Sequence, residues 1–188
     1  MTAPDPLAAT RQGYLDARTR LHALADPLGD EAFNWKPSPK AWSVGECIVH
    51  LNTIGGAYAP ALRAAAERAP AGEGPFRYGF ASRRFIEAVR PGSRRLPTTG
   101  AMKPPPSDGA RSAIDKASAL ARLDRTTDAL VDVVDAAAGR DLAAVRVASP
   151  FLRLVKLPVG ALVEALSLHA LRHTDQAERV AAAPGFPG

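Results

Sequence analysis

This sequence predicts an all-α protein, a four-helix bundle with a long crossover connection between its second and third helices. Three observations lead there. Four long segments repeat apolar residues at helical spacing, and no stretch alternates convincingly with the period of two that marks a half-buried strand. The segments are separated by stretches rich in proline and glycine, and the gap between the second and the third, about 40 residues, is far longer than an ordinary loop. Helices joined in this way fit a bundle with one long connection.

The first helix is expected over roughly Asp5 to Ala25, marked by Leu7, Tyr14, Leu21, Leu24 and Leu28 and ended by Asp26-Pro27. The second begins near Trp42-Ser43. Ser43 stands as N-cap with Glu46 three residues on, the capping-box spacing in which each side chain bonds the other residue's backbone N–H. Val44, Cys47, Ile48, Leu51, Ile54, Tyr58 and Leu62 then form an apolar arc. From Glu67 to Arg111 the pattern breaks on Pro70, Pro75, Pro91, Pro97 and Pro104-Pro105-Pro106, and only Phe80 to Val89 can hold a short helix. The third helix is expected from Ser112 to Ala138, with Ile114, Ala117, Ala121, Leu130, Val131 and Val134 inside and Gly139 as its stop. The fourth runs from Val159 to Ala182 and is closed by Pro184.

A chain of 188 residues can bury a full core, and its length argues for one domain over 1–188. No run approaches the 18 apolar residues of a membrane span, and Met1 to Leu7 lacks the features of a signal peptide, so a cytoplasmic location is expected. The single cysteine, Cys47, excludes an internal disulfide and reads as a small core residue. Charge is unevenly placed. From Glu73 to Arg111 eight basic residues face three acidic ones, an excess equal to the whole net charge of +5. Such a connection can steer an anionic small molecule or phosphate toward one face. Nucleic acid is disfavoured as a partner, because the segment has little aromatic interleaving and no recognisable reading motif.

The chemistry-bearing residues are histidines. His169 and His173 lie four apart and continue the stripe Leu162, Leu166, His169, His173, Gln176, Val180, so two imidazoles project from the apolar side of one helix. Buried polar rings need partners, and neutral imidazole is a common ligand of first-row metal ions. A third ligand must come from a neighbouring helix, and His50 lies at the edge of the second helix's arc. Glu46, one turn earlier, is a candidate acceptor behind His50 as well as a cap. His22 has Arg18 and Asp26 as companions and reads as a solvated histidine. An H-x-x-x-H pair without the glutamate of HExxH also occurs on helices that bind nothing, so spacing alone does not decide.

Three stretches together resemble a known family. They are Trp35-Lys-Pro-Ser-Pro-Lys-Ala-Trp-Ser-Val-Gly-Glu-Cys-Ile-Val-His-Leu51, then Arg83-Arg84-Phe85-Ile86-Glu87 with Pro91 and Arg94-Arg95, and His169-Ala-Leu-Arg-His-Thr-Asp-Gln-Ala-Glu-Arg-Val180. The chain resembles the DinB-like superfamily of bacterial metal-binding four-helix bundles, which includes metal-dependent thiol transferases and mycothiol-dependent isomerases. The resemblance spans essentially the whole chain. It implies a three-histidine metal site built from one histidine of the second helix and two of the last, which fall here on His50, His169 and His173. Gln176, one turn after His173, is then a candidate to hydrogen-bond a ligand or a bound water. A homodimer is also implied.

Three neutral histidines leave a divalent Zn, Ni, Mn or Fe ion with its full charge and an open position. The expected function is therefore a metal-dependent enzyme that activates a thiol or water for S-transfer or hydrolysis on a small electrophile, with a low-molecular-weight thiol as candidate cofactor. Arg83 and Arg84 are candidates to hold a carboxylate of the thiol or substrate. No carboxylate cluster suited to two-metal nucleotidyl transfer is present, and no second acid or base can be assigned from spacing. The rival reading is a metal-binding bundle without catalysis, structural or sensing. A phosphate- or nucleic-acid-binding module using the basic connection is the third.

Overall fold

Pro6 opens the first helix, α1 (Pro6–Ala25), at a position where its missing N–H leaves nothing unsatisfied. The computed structural model describes residues 6–72, 76–94, 98, 100–107, 109–152 and 154–188. Asp5, the expected start of the first helix, and Glu73, Pro75, Arg95, Pro97 and Asp108 of the connection lie outside the described residues. The inner face of α1 carries Tyr14, Ala17, Leu21 and Ala25, all buried, and the Tyr14 hydroxyl donates to the Val163 carbonyl at 2.8 Å.

After α1 comes a five-residue helix, α2 (Asp30–Asn34), that apolar periodicity cannot reveal because it is barely one turn long. Its Phe33 is fully buried, and its Asn34 organises a distant segment. The Asn34 backbone carbonyl accepts from Ser112 N at 2.8 Å, and its side-chain oxygen accepts from Ile114 N at 2.8 Å. Those bonds hold 112–114 outside the helix. The third long helix therefore begins at Lys116, not at Ser112, with Asp115 as N-cap accepting from Ser118 N.

The capping box forms as expected at the start of α3 (Val44–Arg68): Ser43 Oγ accepts from Glu46 N at 3.0 Å and Glu46 Oε2 accepts from Ser43 N at 2.9 Å. Every member of the apolar arc from Val44 to Leu62 is buried. Pro60 interrupts the hydrogen-bond ladder on the exposed side, where water can serve the freed carbonyl. The connection then holds α4 (Phe80–Val89), at the expected bounds, and a 3₁₀ turn over Gly100–Met102. Ile86 of α4 packs against Ala161 and Ala165 of the last helix.

In α5 (Lys116–Ala136) the buried residues are Ala119, Leu120, Leu123, Thr126, Thr127, Leu130, Val131, Val133 and Val134. Ala117 and Ala121, expected inside, are exposed, and Ile114 is half-buried. Leu120 and Leu123 bury far more apolar area than two alanines, so they set the rotation of the helix. Gly139, at φ +68°, turns the chain after the helix end.

A short antiparallel hairpin follows, β1 (Arg146–Ala148) with β2 (Lys156–Pro158), in which Val147 pairs with Leu157. It is a small addition to a mostly helical chain in which no stretch alternates convincingly. Three residues per strand, with one side chain of β1 turned inward, are too few for alternation to register. β2 runs directly into α6 (Val159–Ala181).

The described residues are thus mostly helical, with this one small sheet. The long helix α3 packs on α5 and α6, and α1 packs on α6 and α5. One apolar cluster gathers Tyr14, Tyr58, Leu62, Val133 and Leu162; another gathers Leu21, Phe33, Val44, Ile48, Leu123 and Ala177. None of the described helices is long and apolar enough to cross a membrane.

Close approach of α3 to α5 depends on Gly55, where an added Cβ would lie 2.5 Å from Thr126 Cγ2 and 3.1 Å from Leu130 Cδ1. Threonine is stiff at χ1 and cannot easily give way. Gly55→Val is expected to destabilise the protein by ~2 kcal/mol and lower the thermal midpoint by roughly 4–8 °C, with partial recovery in Gly55→Val/Thr126→Ser. An unchanged midpoint in calorimetry would show that the helix pair can open at no cost.

Candidate metal centre

The buried arc of α3 carries His50 inward, and the face of α6 that continues Leu162 and Leu166 carries His169 and His173 to meet it. His50 and His173 are buried, while His169 is half-buried and lines a cavity. His50 Nε2 lies 3.3 Å from His169 Nε2, and His169 Nε2 lies 3.1 Å from His173 Nε2. One potential ligand atom from each ring falls within 4.8 Å of the other two.

His50 Nδ1 lies 2.7 Å from the Met102 carbonyl oxygen. A carbonyl only accepts, so Nδ1 carries the hydrogen and Nε2 keeps its lone pair pointed at the other rings. A neutral His169 has one hydrogen, and on Nε2 it serves only one of its two neighbours. The cluster therefore holds more converging lone pairs than hydrogens to fill them, which suits a cation at the centre. Two nitrogens held about 2.0 Å from one tetrahedral ion stand about 3.3 Å apart, close to the separations here.

Electrostatics favour the neutral rings that a metal requires. Burial lowers the pKa of His50, against the raising effect of its bond to Met102. Burial, then the imidazole of His50 and the guanidinium of Arg172, lower His169. His169 is only half-buried because it lines the cavity, and burial is still the largest cause lowering its pKa. Burial, His169, His50 and Arg172 hold His173 well below its ordinary value. Gln176 acts weakly in the opposite sense, yet His173 Nδ1 is buried with no partner at hydrogen-bond geometry among the described residues. What orients that ring is Trp42, stacked on it at 5.5 Å and 20° and also 4.9 Å from the His50 ring.

Glu46 lies at the same end of the molecule but its carboxylate is occupied elsewhere. Besides the Ser43 N–H it accepts from Lys36 Nζ at 3.2 Å and from Ser107 Oγ at 3.3 Å, and Lys36 Nζ also donates to Ser107 Oγ at 2.6 Å. Lys36 and Glu46 are both buried. Gln176 lines the cavity beside the histidines. Arg83 and Arg84 are exposed on α4, and the cavity wall does not include them. Basic residues that do line it are Lys36, Lys40, Lys103, Arg172 and Arg179. The two arginines had a signal in the sequence: 169, 172, 176 and 179 share one helix face with 173. Met102 had none, because its contribution is a backbone carbonyl from a loop. Arg172 is itself engaged, donating to the Ala88 carbonyl, the Arg94 carbonyl and Ser93 Oγ, which pins the end of α4 onto α6.

His22 is not part of the cluster. It bridges Asp124 Oδ1 at 2.9 Å and Asp26 Oδ1 at 3.3 Å; burial opposes its charge, but the two carboxylates prevail and raise its pKa. Cys47 is fully buried in the apolar core, and burial pushes its thiol far up, as a core role requires.

The cavity in front of the histidines measures about 1130 Å³. The sequence matches the DinB superfamily over residues 14–177. The chain belongs to the DinB superfamily. In this DinB-superfamily chain the matched span runs from Tyr14 of α1 past His173 of α6, so it contains all three histidines. No curated protein and no solved structure matches the chain.

Two outcomes are expected. Lys36→Met leaves the Glu46 carboxylate buried without its counter-charge and should cost ~3 kcal/mol or more in urea unfolding, well above the ~1 kcal/mol of Ser43→Ala; equal losses would mean that the ion pair contributes nothing. Three histidines held below the ordinary value near 6.5 stay neutral in the fold while the unfolded chain takes up protons. The metal-free protein should therefore lose stability as pH falls below about 6.5 toward their lowered values. His22 works oppositely, its contribution present below that pH and lost as pH rises through its raised value. Replacing the three clustered histidines by alanine should flatten the acid-side slope of denaturant midpoints, and a slope that persists unchanged would assign it to other groups.

Proposed function

We propose that His50, His169 and His173 bind one divalent transition metal ion and that the protein is a metal-dependent enzyme acting on a small electrophile, by S-transfer from a thiol or by hydrolysis. The observation that carries this reading is that the three imidazoles face a cavity of about 1130 Å³ and are not sealed in the core. Structural metal sites are closed by four protein ligands, whereas catalytic ones keep a position open to substrate. That contrast favours an enzyme over a metal staple between α3 and α6.

A divalent ion with three neutral nitrogen ligands retains its full charge, and the chemistry it supplies when bound is acidification of a thiol or a water at neutral pH. This chain's own residues do the rest. Met102 fixes the tautomer of His50 through its carbonyl, and Trp42 fixes the plane of His173 by stacking. Ile54, Phe151 and Leu166 exclude water from one side of the site. We read the four long helices α1, α3, α5 and α6 as a four-helix bundle with its long crossover between the second and third. In that reading the crossover serves as a wall of the cavity, since Met102 and Pro104 to Ser107 line it.

The test is elemental analysis of protein purified without a metal-affinity tag, followed by a screen of thiol and electrophile pairs with the ion restored. About one metal per chain in the wild type, lost in His50→Ala and in His169→Ala with helical content intact, is the expected outcome. Turnover should fall at least ~100-fold in both variants. A wild type that takes up no Zn²⁺, Ni²⁺, Mn²⁺ or Fe²⁺ would overturn the reading, and metal without any turnover would leave a binding protein.

A further inference from the structure

The cavity has two unlike ends, and the three histidines stand between them. Along α6 its wall runs from Leu166 through His169, His173 and Gln176 to Arg179, about 20 Å of helix. Along α3 the wall runs the other way, from Glu46 through His50 to Ile54 and Tyr58. Tyr58, Phe151 and Leu166 therefore gather at one end, joined by Phe85 and Val89 of α4. Arg179 stands at the other end, near the start of α3, where its charge is felt at Cys47. Lys36 and Lys40 precede α3 at that same end.

Charge at the second end is one-sided. Glu46 is the one acidic side chain among the described residues of the wall, and Lys36 already neutralises it at 3.2 Å. Lys40 and Arg179 make no hydrogen bond or ion pair among the described residues. Two cations at the mouth of a concave, low-dielectric site focus a positive field into it. They offer an anion charge-assisted hydrogen bonds that no protein carboxylate supplies. The opposite end, aromatic and aliphatic, gains by burying apolar surface.

We infer that the ligand of this cavity is an amphipathic small-molecule anion, with a carboxylate or similar group at Lys40 and Arg179, an apolar body against Tyr58, Phe85 and Phe151, and its reacting atom between the two at the histidines. The inference rests on the proposed role of the cavity as the substrate site and specifies what that substrate must be. It moves anion recognition away from Arg83 and Arg84, which stand outside the wall.

Calorimetric titration at low salt with 3-phenylpropanoate and its neutral amide tests the assignment on the full chain, both metal-loaded and chelator-treated. The acid is expected to bind about tenfold more tightly than the amide, and in Arg179→Ala or Lys40→Ala most of that preference should vanish while the amide's affinity stays within about twofold. Propanoate, lacking the ring, should bind at least about tenfold more weakly than 3-phenylpropanoate. Equal binding of acid and amide, or equal weakening of both by the variants, would overturn the cationic end. Equal binding of propanoate and 3-phenylpropanoate, or no binding of any probe, would overturn the apolar end. A preference for the acid seen only in metal-loaded protein would place the carboxylate on the ion and refute the assignment to Lys40 and Arg179. The chelator-treated arm reads the ends without metal, so a wild type that holds no ion would fail the metal reading and leave this test standing.

Discussion

A carboxylate buried at the start of a helix must find donors, and those that Glu46 finds organise the end of the molecule that carries the histidines. Glu46 is 3% exposed, and its oxygens take the Ser43 N–H, the Lys36 ammonium and the Ser107 hydroxyl. The first bond starts α3. The second ties down the stretch of chain that enters it, and the third brings the end of the connection between α3 and α5 back over α3. An unpaired charge at that depth would be costly, so these three segments cannot move apart independently. Because Glu46 fixes where α3 begins, it also fixes the rotation that turns His50 inward one helical turn later.

The connection between α3 and α5 is held a second time through the site itself. Met102 lends its carbonyl to His50 Nδ1, and Arg172 of α6 lends its guanidinium to the last turn of α4 and to the chain that follows it. The segment that covers the cavity is thus fastened to the two helices that carry the imidazoles. In turn the segment dictates which nitrogen of His50 is free. The histidines are kept neutral chiefly by burial, and His169 and His173 are lowered further by neighbouring imidazoles and by Arg172.

The division between what could and could not be read beforehand follows interaction range. The boundaries of α4, the capping box of α3 and the apolar arc from Val44 to Leu62 are local facts of spacing, and they stand where periodicity places them. The start of α5 is not local. Ser112 and Ile114 are kept extended by Asn34, a residue about 80 positions away in sequence and itself on a helix too short to see. Ala117 and Ala121 fit a helical stripe yet face outward, because the leucines decide the rotation. The hairpin escapes notice for the same reason as α2: each element is shorter than one useful period.

The sequence by itself determined a mostly helical chain, the family to which it belongs, and the three histidines brought together between α3 and α6, because helical phase and residue chemistry are written within a few neighbouring positions. Tertiary structure alone decided that Glu46 serves Lys36 and Ser107, that the carbonyl of Met102 sets the tautomer of His50, and that Arg172 meets the end of α4 while Arg83 and Arg84 face outward. Each of those outcomes pairs residues from separate elements. Which partner a buried charge or ring meets depends on how whole helices settle against one another, and packing of that kind has no signature in any single stretch of chain.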